Sequence, residues 1–446
     1  MPADPAKVLI VAENCSAIFG GEAILPLHYF RRLRARGVEA WLLTHARNRE
    51  RLLALLPAEA DRMHFAPDTL LNRLSSRLLH NAPTAVGRVI GPILGLFSQF
   101  TFRRLALRIT RVQGINLVHQ PSPVSPRAVS LLFGLGAPVV IGPLNGGMSY
   151  PPGFKQFEGK AGRASVAVGR LLSNLLHYIF PGKLRADLVL VANERTRRAL
   201  PKGVRGLVIE CVENGVDLSL WKPQAREDRA SPIRFVFSGR LVDWKGVDCL
   251  LRAFARVVSE TPATLDIFGD GTERGSLQKL ASELGLEKLV TFHGWVDQPR
   301  IAAHLASADI FVLPSLWECG GAVVLEAMAS GLPVIATRWG GPADYLDDTC
   351  GVLVDPTNPE EFVEGLAGAM TRLAHDAGLR ERLAAAALAR VRSQFDWEKK
   401  VDRMLEMYDQ VRLDHLAKAE TDQYTRDASQ QSEVDLESSP ISAGQA

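Results

Sequence analysis

The sequence predicts an α/β fold of two doubly wound domains, and three observations predict it. Short apolar runs of the kind that form buried parallel strands recur along the chain. Helical patterns lie between them. The first run is followed by a glycine-rich turn, the arrangement of a βαβ unit. Lys7 to Glu13 is that first strand, and a loop with Gly20-Gly21 follows it. A helical pattern runs from Glu22 to Arg36, Gly37 stops it, and Val38 to Thr44 is the second strand. Further strands are expected at Leu117 to His119, Pro138 to Ile141, Leu188 to Val191 and Val208 to Glu210. The first domain is therefore placed at 1–217.

A second unit begins after Trp221-Lys222-Pro223, with the polar segment Gln224 to Ser231 as the linker candidate. Ile233 to Ser238 is its first strand, Val247 to Thr261 a helix, and Ala263 to Phe268 a strand closed by Gly269-Asp270-Gly271. Leu289 to His293, Ile310 to Pro314, Pro333 to Thr337 and Gly351 to Val354 supply the remaining strands. This domain is placed at 218–395, of ordinary domain size. Helices continue from Pro359 to about Leu416, including a terminal helix at 396–416. The tail 417–446 is polar, rich in Ser, Gln, Asp and Glu, and is expected to be disordered.

Composition excludes several function classes. With 446 residues, 47% hydrophobic and 23% charged, the chain is long enough for full cores and is ordinary for a soluble protein. A net charge of +3 gives no argument for nucleic acid. Five scattered cysteines form neither a metal-ligand spacing nor a disulfide framework. Met1 to Lys7 lacks the cationic-then-apolar order of a secretory signal, so a reducing cytoplasm is expected.

The most informative segment is Pro314 to Val334. Glu318 stands in a loop and Glu326 eight positions later, inside a helix that Gly331 and Pro333 end. Backbone N–H groups at a helix start have no intrahelical partners and carry positive partial charge. Gly320 and Gly321 allow close approach to the main chain. A phosphorylated sugar suits this pattern, with phosphate at the amides and hydroxyls at the carboxylates. Two solvent-facing Glu residues on an amphipathic helix would leave the coincidence of glycines, helix and following strand unexplained.

This segment resembles the Glu-x7-Glu motif of the retaining glycosyltransferases of family 4. That resemblance spans nearly the whole chain up to Leu416 and implies a GT-B fold, two Rossmann-like domains facing across a cleft, the first on the acceptor side and the second binding the donor, with the terminal helix 396–416 returning to the N-terminal domain. It places Glu326 on the ribose hydroxyls and Glu318 beside the donor sugar, with the amides of Gly320 and Gly321 on sugar and phosphate. Cys319 stands where the family has a small residue. Its thiol is open to two readings, a lowered pKa at a helix N-terminus or simple packing.

Ser238 to Gly246 is the second motif. A strand ends at Ser238, and the loop with Gly239 then presents Arg240 and Lys245. Two cations can balance a diphosphate without a metal. The resemblance carries the donor diphosphate to Arg240 and Lys245, and no Asp-x-Asp metal site is apparent. It also places the donor nucleotide beside Gly294 and Trp295, where the backbone reads the base, and the phosphate near Gly20 and Gly21 across the cleft. Glu213 to Asp217 matches the family's crossing between domains. Where many relatives carry a His after the strand Pro138 to Ile141, this chain has Gly142 to Gly147 and no His. Asn145 is there either a sugar ligand or a turn former. His119 reads as a structural histidine.

Leu70 to Gly114 has another character: seven arginines, no acidic residue, and apolar stretches between them. It suits an anionic membrane surface, and equally an amphipathic helix pair packed on the first sheet. Arg163 to Lys183 could extend the same face.

The implied reaction moves a hexosyl unit from a nucleotide sugar, with retention, to a glycan or polyprenyl-linked acceptor. Glu318, Arg240 and Lys245 are its catalytic candidates. The setting implied is bacterial surface polysaccharide synthesis at the inner face of the cytoplasmic membrane. Two other readings keep the fold: a nucleotide-sugar epimerase and a catalytically silent binding module.

Overall fold

The computed structural model describes residues 4–16, 21–67, 84–158, 173–224 and 232–437. The apolar runs form two all-parallel sheets. The first contains β1 (Lys7–Val11), β2 (Glu39–His45), β3 (Met63–Ala66), β4 (Leu117–Gln120), β5 (Val139–Leu144), β6 (Leu188–Val191) and β7 (Leu207–Glu210), in the order β3-β2-β1-β4-β5-β6-β7. The second contains β8 (Ile233–Ser238), β9 (Ala263–Phe268), β10 (Val290–Gly294), β11 (Ile310–Leu313), β12 (Val334–Thr337) and β13 (Val352–Val354), in the order β10-β9-β8-β11-β12-β13.

Central strands such as β4, β5, β6 and β11 are buried at every position, because helices cover both faces. That is why they read as continuous apolar runs rather than alternating ones. In the first sheet the order reverses between β1 and β4, and in the second between β8 and β11. Loops leaving such a pair diverge to opposite faces and open a crevice at the strands' carboxyl ends. The two motif loops, Gly239–Gly246 after β8 and Pro314–Gly321 after β11, flank the reversal in the second sheet.

Three features depart from the sequence reading. The edge strand β3 was not expected: Met-His-Phe-Ala is only four residues long and pairs with β2 alone. Most of the linker candidate, at 225–231, lies outside the described residues. The expected disordered tail is a continuation of the helix Trp397–Glu437, and only 438–446 lie outside the description. No glycine or proline interrupts the sequence between Trp397 and Ser439, so polarity alone does not stop the helix.

The third departure concerns the domain boundary. Tyr150 and Phe154 precede residue 217, yet they belong to the core of the second sheet. Phe154 meets Phe362 edge-on at 5.8 Å. Trp339 Nε1 donates to the carbonyl of Ser149 at 2.9 Å. A Cβ at Gly153 would stand 1.6 Å from the carbonyl oxygen of Thr357, so only glycine passes there. The segment after β5 is thus a strap laid into the other domain.

The terminal helix makes the reverse crossing. Trp397, Val401, Met404, Tyr408 and Val411 pack into the first core with Tyr29, Phe30 and Leu33. Arg32 binds Glu398 and Asp217, both at 2.9 Å, and Arg36 binds Asp402 at 2.7 Å. Buried His119 joins helix to sheet. Its Nδ1 accepts from the Tyr408 hydroxyl at 2.6 Å, so Nε2 is the nitrogen that donates to the Gly142 carbonyl, also at 2.6 Å. Burial pushes its pKa down to about 4, as expected of a neutral structural histidine.

Candidate functional site

The site is built on backbone that only glycine allows. Gly246 has φ +65, and a Cβ on it would lie 2.3 Å from the Pro314 carbonyl oxygen, so the two motif loops touch main chain to main chain. The N–H of Leu316 donates to the Trp244 carbonyl at 2.8 Å and fixes their register. Gly321, at φ +81, caps the helix Ala322–Ala329. The glycine corners at the ends of β8, β9 and β10 pack in the same way. Gly269 N donates to the Gly294 carbonyl at 2.8 Å, and a Cβ on Gly269 would meet the Gly239 carbonyl oxygen at 1.8 Å.

This backbone brings Lys245 and Glu318 together. Their side chains form an ion pair, only 12% and 15% exposed. Each carries the charge that makes the other's burial tolerable. Arg240, in the same loop, is exposed. Trp295 is 64% exposed. Gly21 opens the turn Gly21–Ala23 at φ +68 with free space beside it, and Gly20 lies outside the described residues.

Glu326 sits in a different environment from Glu318. It lies half-buried in the helix Ala322–Ala329, with no cation recorded beside its carboxyl among the described residues. Burial pushes its pKa up to about 7. Two carboxylates eight residues apart therefore differ in surroundings: Glu318 faces an ammonium, while Glu326 holds its proton into the neutral range.

The loop 318–321 is pinned from both domains. Gly341 N donates to the Glu318 carbonyl and Asn145 Nδ2 to the Cys319 carbonyl, each at 2.8 Å. Asn145 thus joins the first domain to the second, a role beyond both sequence readings. The close approach that Gly320 permits is also different from the one expected. A Cβ there would lie 2.2 Å from Glu213 Oε1 and 2.4 Å from Asn214 Nδ2, so the space beside Gly320 is taken by the interdomain crossing. Asn214 in turn donates to the Tyr345 hydroxyl at 2.9 Å. The reading of Cys319 as an activated thiol is corrected. Burial, with the Glu318 carboxylate next in effect, pushes the thiol up to about 11.

Sequence reasoning missed the pairs that close this contact from the sides. Arg195 Nη2 and Asn193 Nδ2 both donate to Asp344 Oδ2, at 3.1 and 2.8 Å. Tyr150 of the strap meets Trp317 edge-on at 4.8 Å, immediately before Glu318. No spacing in the sequence couples residues that far apart.

Residues 222–390 match the family model described as glycosyl transferases group 1. The D-inositol 3-phosphate glycosyltransferase of Thermomonospora curvata is 38% identical over 221 residues, 44% of this chain and 50% of that protein. The lipopolysaccharide core biosynthesis glycosyltransferase LpsE of Rhizobium meliloti is 38% identical over 170 residues, 38% of this chain and 47% of that protein. The chain thus spans about half the length of the curated relatives it matches. Among solved structures, HepE of Anabaena in complex with UDP and glucose superposes with a TM-score of 0.59 at 19% identity, covering 91% of this chain and 100% of that one. The two facing Rossmann-like sheets are those of the GT-B fold.

The packing around Gly320 makes a direct test. Gly320→Ala should lower stability by about 1–3 kcal/mol, the usual cost of forcing an extra carbon into a filled space. Gly368→Ala, on a helix with open space around it, should be neutral or slightly stabilising. Thermal unfolding of the two variants compares them, and equal midpoints would contradict the contact.

Proposed function

We propose that this chain is a retaining hexosyltransferase that uses a nucleoside diphosphate sugar as donor. The observation that carries the proposal is the Lys245–Glu318 pair, set at the strand-order reversal of the domain that matches the group 1 family model. The supporting likenesses are a solved structure holding UDP and glucose and relatives named as glycosyltransferases.

The chemistry follows from charge. Breaking the bond between the sugar's anomeric carbon and the diphosphate leaves negative charge on the leaving phosphate. Fixed cations aimed at that charge stabilise the transition state more than the ground state. Lys245 is held in place by Glu318 and Arg240 is free to turn, so a diphosphate between them meets one fixed and one adjustable cation. As Lys245 takes up phosphate, a Glu318 oxygen is released to accept a sugar hydroxyl. Glu326 receives the ribose hydroxyls. The Cys319 thiol beside Glu318 is held protonated by burial, with a pKa of about 11, and so makes a poor nucleophile, in keeping with a front-face route in which the leaving phosphate helps deprotonate the acceptor hydroxyl. The acceptor is a glycan or polyprenyl-linked sugar of a bacterial surface polysaccharide, met at the inner face of the cytoplasmic membrane. The relative named for lipopolysaccharide core synthesis supports that class.

Arg240→Ala and Lys245→Ala should each lower transfer on the order of 10²-fold, by analogy with removing one donor from an oxyanion site. Release of UDP from a panel of UDP-sugars measures this, and near-normal turnover in both variants would overturn the assignment. The two cations also make a divalent metal unnecessary, so EDTA should leave the rate unchanged. Activity that vanishes in EDTA and returns with Mg²⁺ would contradict it.

Glu326 predicts a pH dependence. Its raised pKa keeps the carboxyl protonated below about pH 7, and the ionised form is the better acceptor for ribose hydroxyls. Nucleotide affinity should therefore rise about tenfold between about pH 6 and about pH 8, less the nucleotide's own titration. Calorimetry of wild type against Glu326→Gln isolates the effect, since the nucleotide's titration is common to both. The same pH slope in the two proteins would remove Glu326 from the ribose.

A further inference from the structure

Charge is divided unevenly along this chain. Between Thr69 and Ala186 there are fourteen Lys and Arg residues and one acidic residue, Glu158, whereas the whole chain has 52 against 49. The C-terminal half of the helix Thr84–Gln113 brings part of this excess to the surface. Its inner face, with Phe102, Ala106 and Ile109, packs on the first sheet. Phe100, Arg104, Arg108 and Arg111 are exposed and fall at spacings of four, four and three, so they form one outer stripe. Arg103 is not part of it: its guanidinium lies over the Phe133 ring at 4.4 Å.

A second segment converges on the same place. Residues 173–179 are helical, and Phe180 meets Phe100 edge-on at 6.0 Å. Leu175, Tyr178 and Ile179 are 57%, 69% and 58% exposed. Large apolar side chains are normal singly on a surface, but a contiguous group of them marks a contact. Here that group adjoins a row of arginines with no acidic neighbour in sequence on either segment.

We propose that this face docks on an anionic lipid bilayer, with Phe100, Leu175, Tyr178 and Ile179 entering the headgroup region and Arg104, Arg108 and Arg111 meeting the lipid phosphates. Apolar side chains beside a row of a single sign of charge match such an interface on both counts. A folded protein partner would need an acidic rim around an apolar centre, and a polynucleotide would leave the apolar centre uncovered. No helix among the described residues is long and apolar enough to cross a membrane, so contact through this face is peripheral.

The placement also gives the bilayer a consequence for the acceptor, and this part rests on the transferase reading. Glu13, Glu22, Gln99, Gln120 and Ser122 line a pocket at the strand-order reversal of the first sheet. Gln99 adjoins Phe100, and its amide holds Val129 and Leu131 through their backbone at 3.1 and 3.2 Å. Those two residues pack with Leu176 and Phe180. The pocket and the docking face thus share a wall, which lets a lipid-anchored sugar reach the pocket while its chain stays in the bilayer.

Co-sedimentation with vesicles tests the docking on the full chain. Wild type should bind vesicles of phosphatidylglycerol and phosphatidylcholine and leave phosphatidylcholine alone unbound at low salt. Changing Arg104, Arg108 and Arg111 together to Gln should weaken binding roughly a hundredfold, from about 1 kcal/mol for each basic residue near the surface. Tyr178→Ser with Ile179→Ser should weaken it too, and should abolish what remains at high salt, where screening removes the electrostatic part. UDP affinity by calorimetry should be unchanged in both variants, which shows that they fold and that the donor domain is intact. Wild type that ignores anionic vesicles would overturn the proposal. So would vesicle binding indifferent to Tyr178 and Ile179 and matched by heparin, which marks a general polyanion surface. Loss of UDP binding or transfer in wild type would instead strike the transferase reading and leave the vesicle result standing.

Discussion

The hydrogen bond from Asn145 to the Cys319 carbonyl is the contact on which the cleft depends. It fixes the loop that carries Glu318 against the opposite domain, while Gly341 holds the preceding carbonyl from its own side. With the loop so placed, the Glu318 carboxylate falls beside Lys245, and Gly321 starts the following helix. The interdomain crossing at Glu213 and Asn214 then comes so close to Gly320 that no side chain fits between. One backbone path thus sets the carboxylate, the cation beside it and the contact between the domains.

The electrostatics of the site follow from which groups have partners. Glu318 has the Lys245 ammonium beside it. Glu326 has none and retains its proton into the neutral range. Asp344, half-enclosed, is bridged by Arg195 and Asn193 of the other domain. The Asp344 charge is compensated where the two domains meet, and the Arg240 charge is left exposed. A low local dielectric strengthens the first, and exposure leaves the second open to an arriving anion.

The two domains are joined by more than the chain crossing. The strap places Tyr150 and Phe154 in the second core, and the helix from Trp397 returns to the first. Each domain therefore completes part of the other's core. The relative placement of the loops is fixed by packing, which is stiffer than a linker. Charge is segregated as well. The basic segment lies in the first domain, on the side away from its sheet's core, and the donor motifs lie in the second.

Most of the strand plan was legible in the sequence because strands buried on both faces are unbroken apolar runs, as at Leu188 to Val191 and Ile310 to Leu313. The glycine corners were legible too, since positive φ and main-chain contact leave few alternatives at Gly246 and Gly321. Strand β3 was not, being only four residues long, at a sheet edge, with His64 interrupting its apolar run. The helical tail was missed because polarity was taken for disorder where no helix breaker occurs. The partners of the site residues could not be read at all. Lys245 with Glu318, Asn145 with Cys319 and Arg195 with Asp344 are separated by 73 to 174 residues. Sequence pattern reports local conformation and burial, which are properties of short segments. Which side chains meet across a cleft is decided by how two sheets pack, and that is settled only when the whole chain has folded.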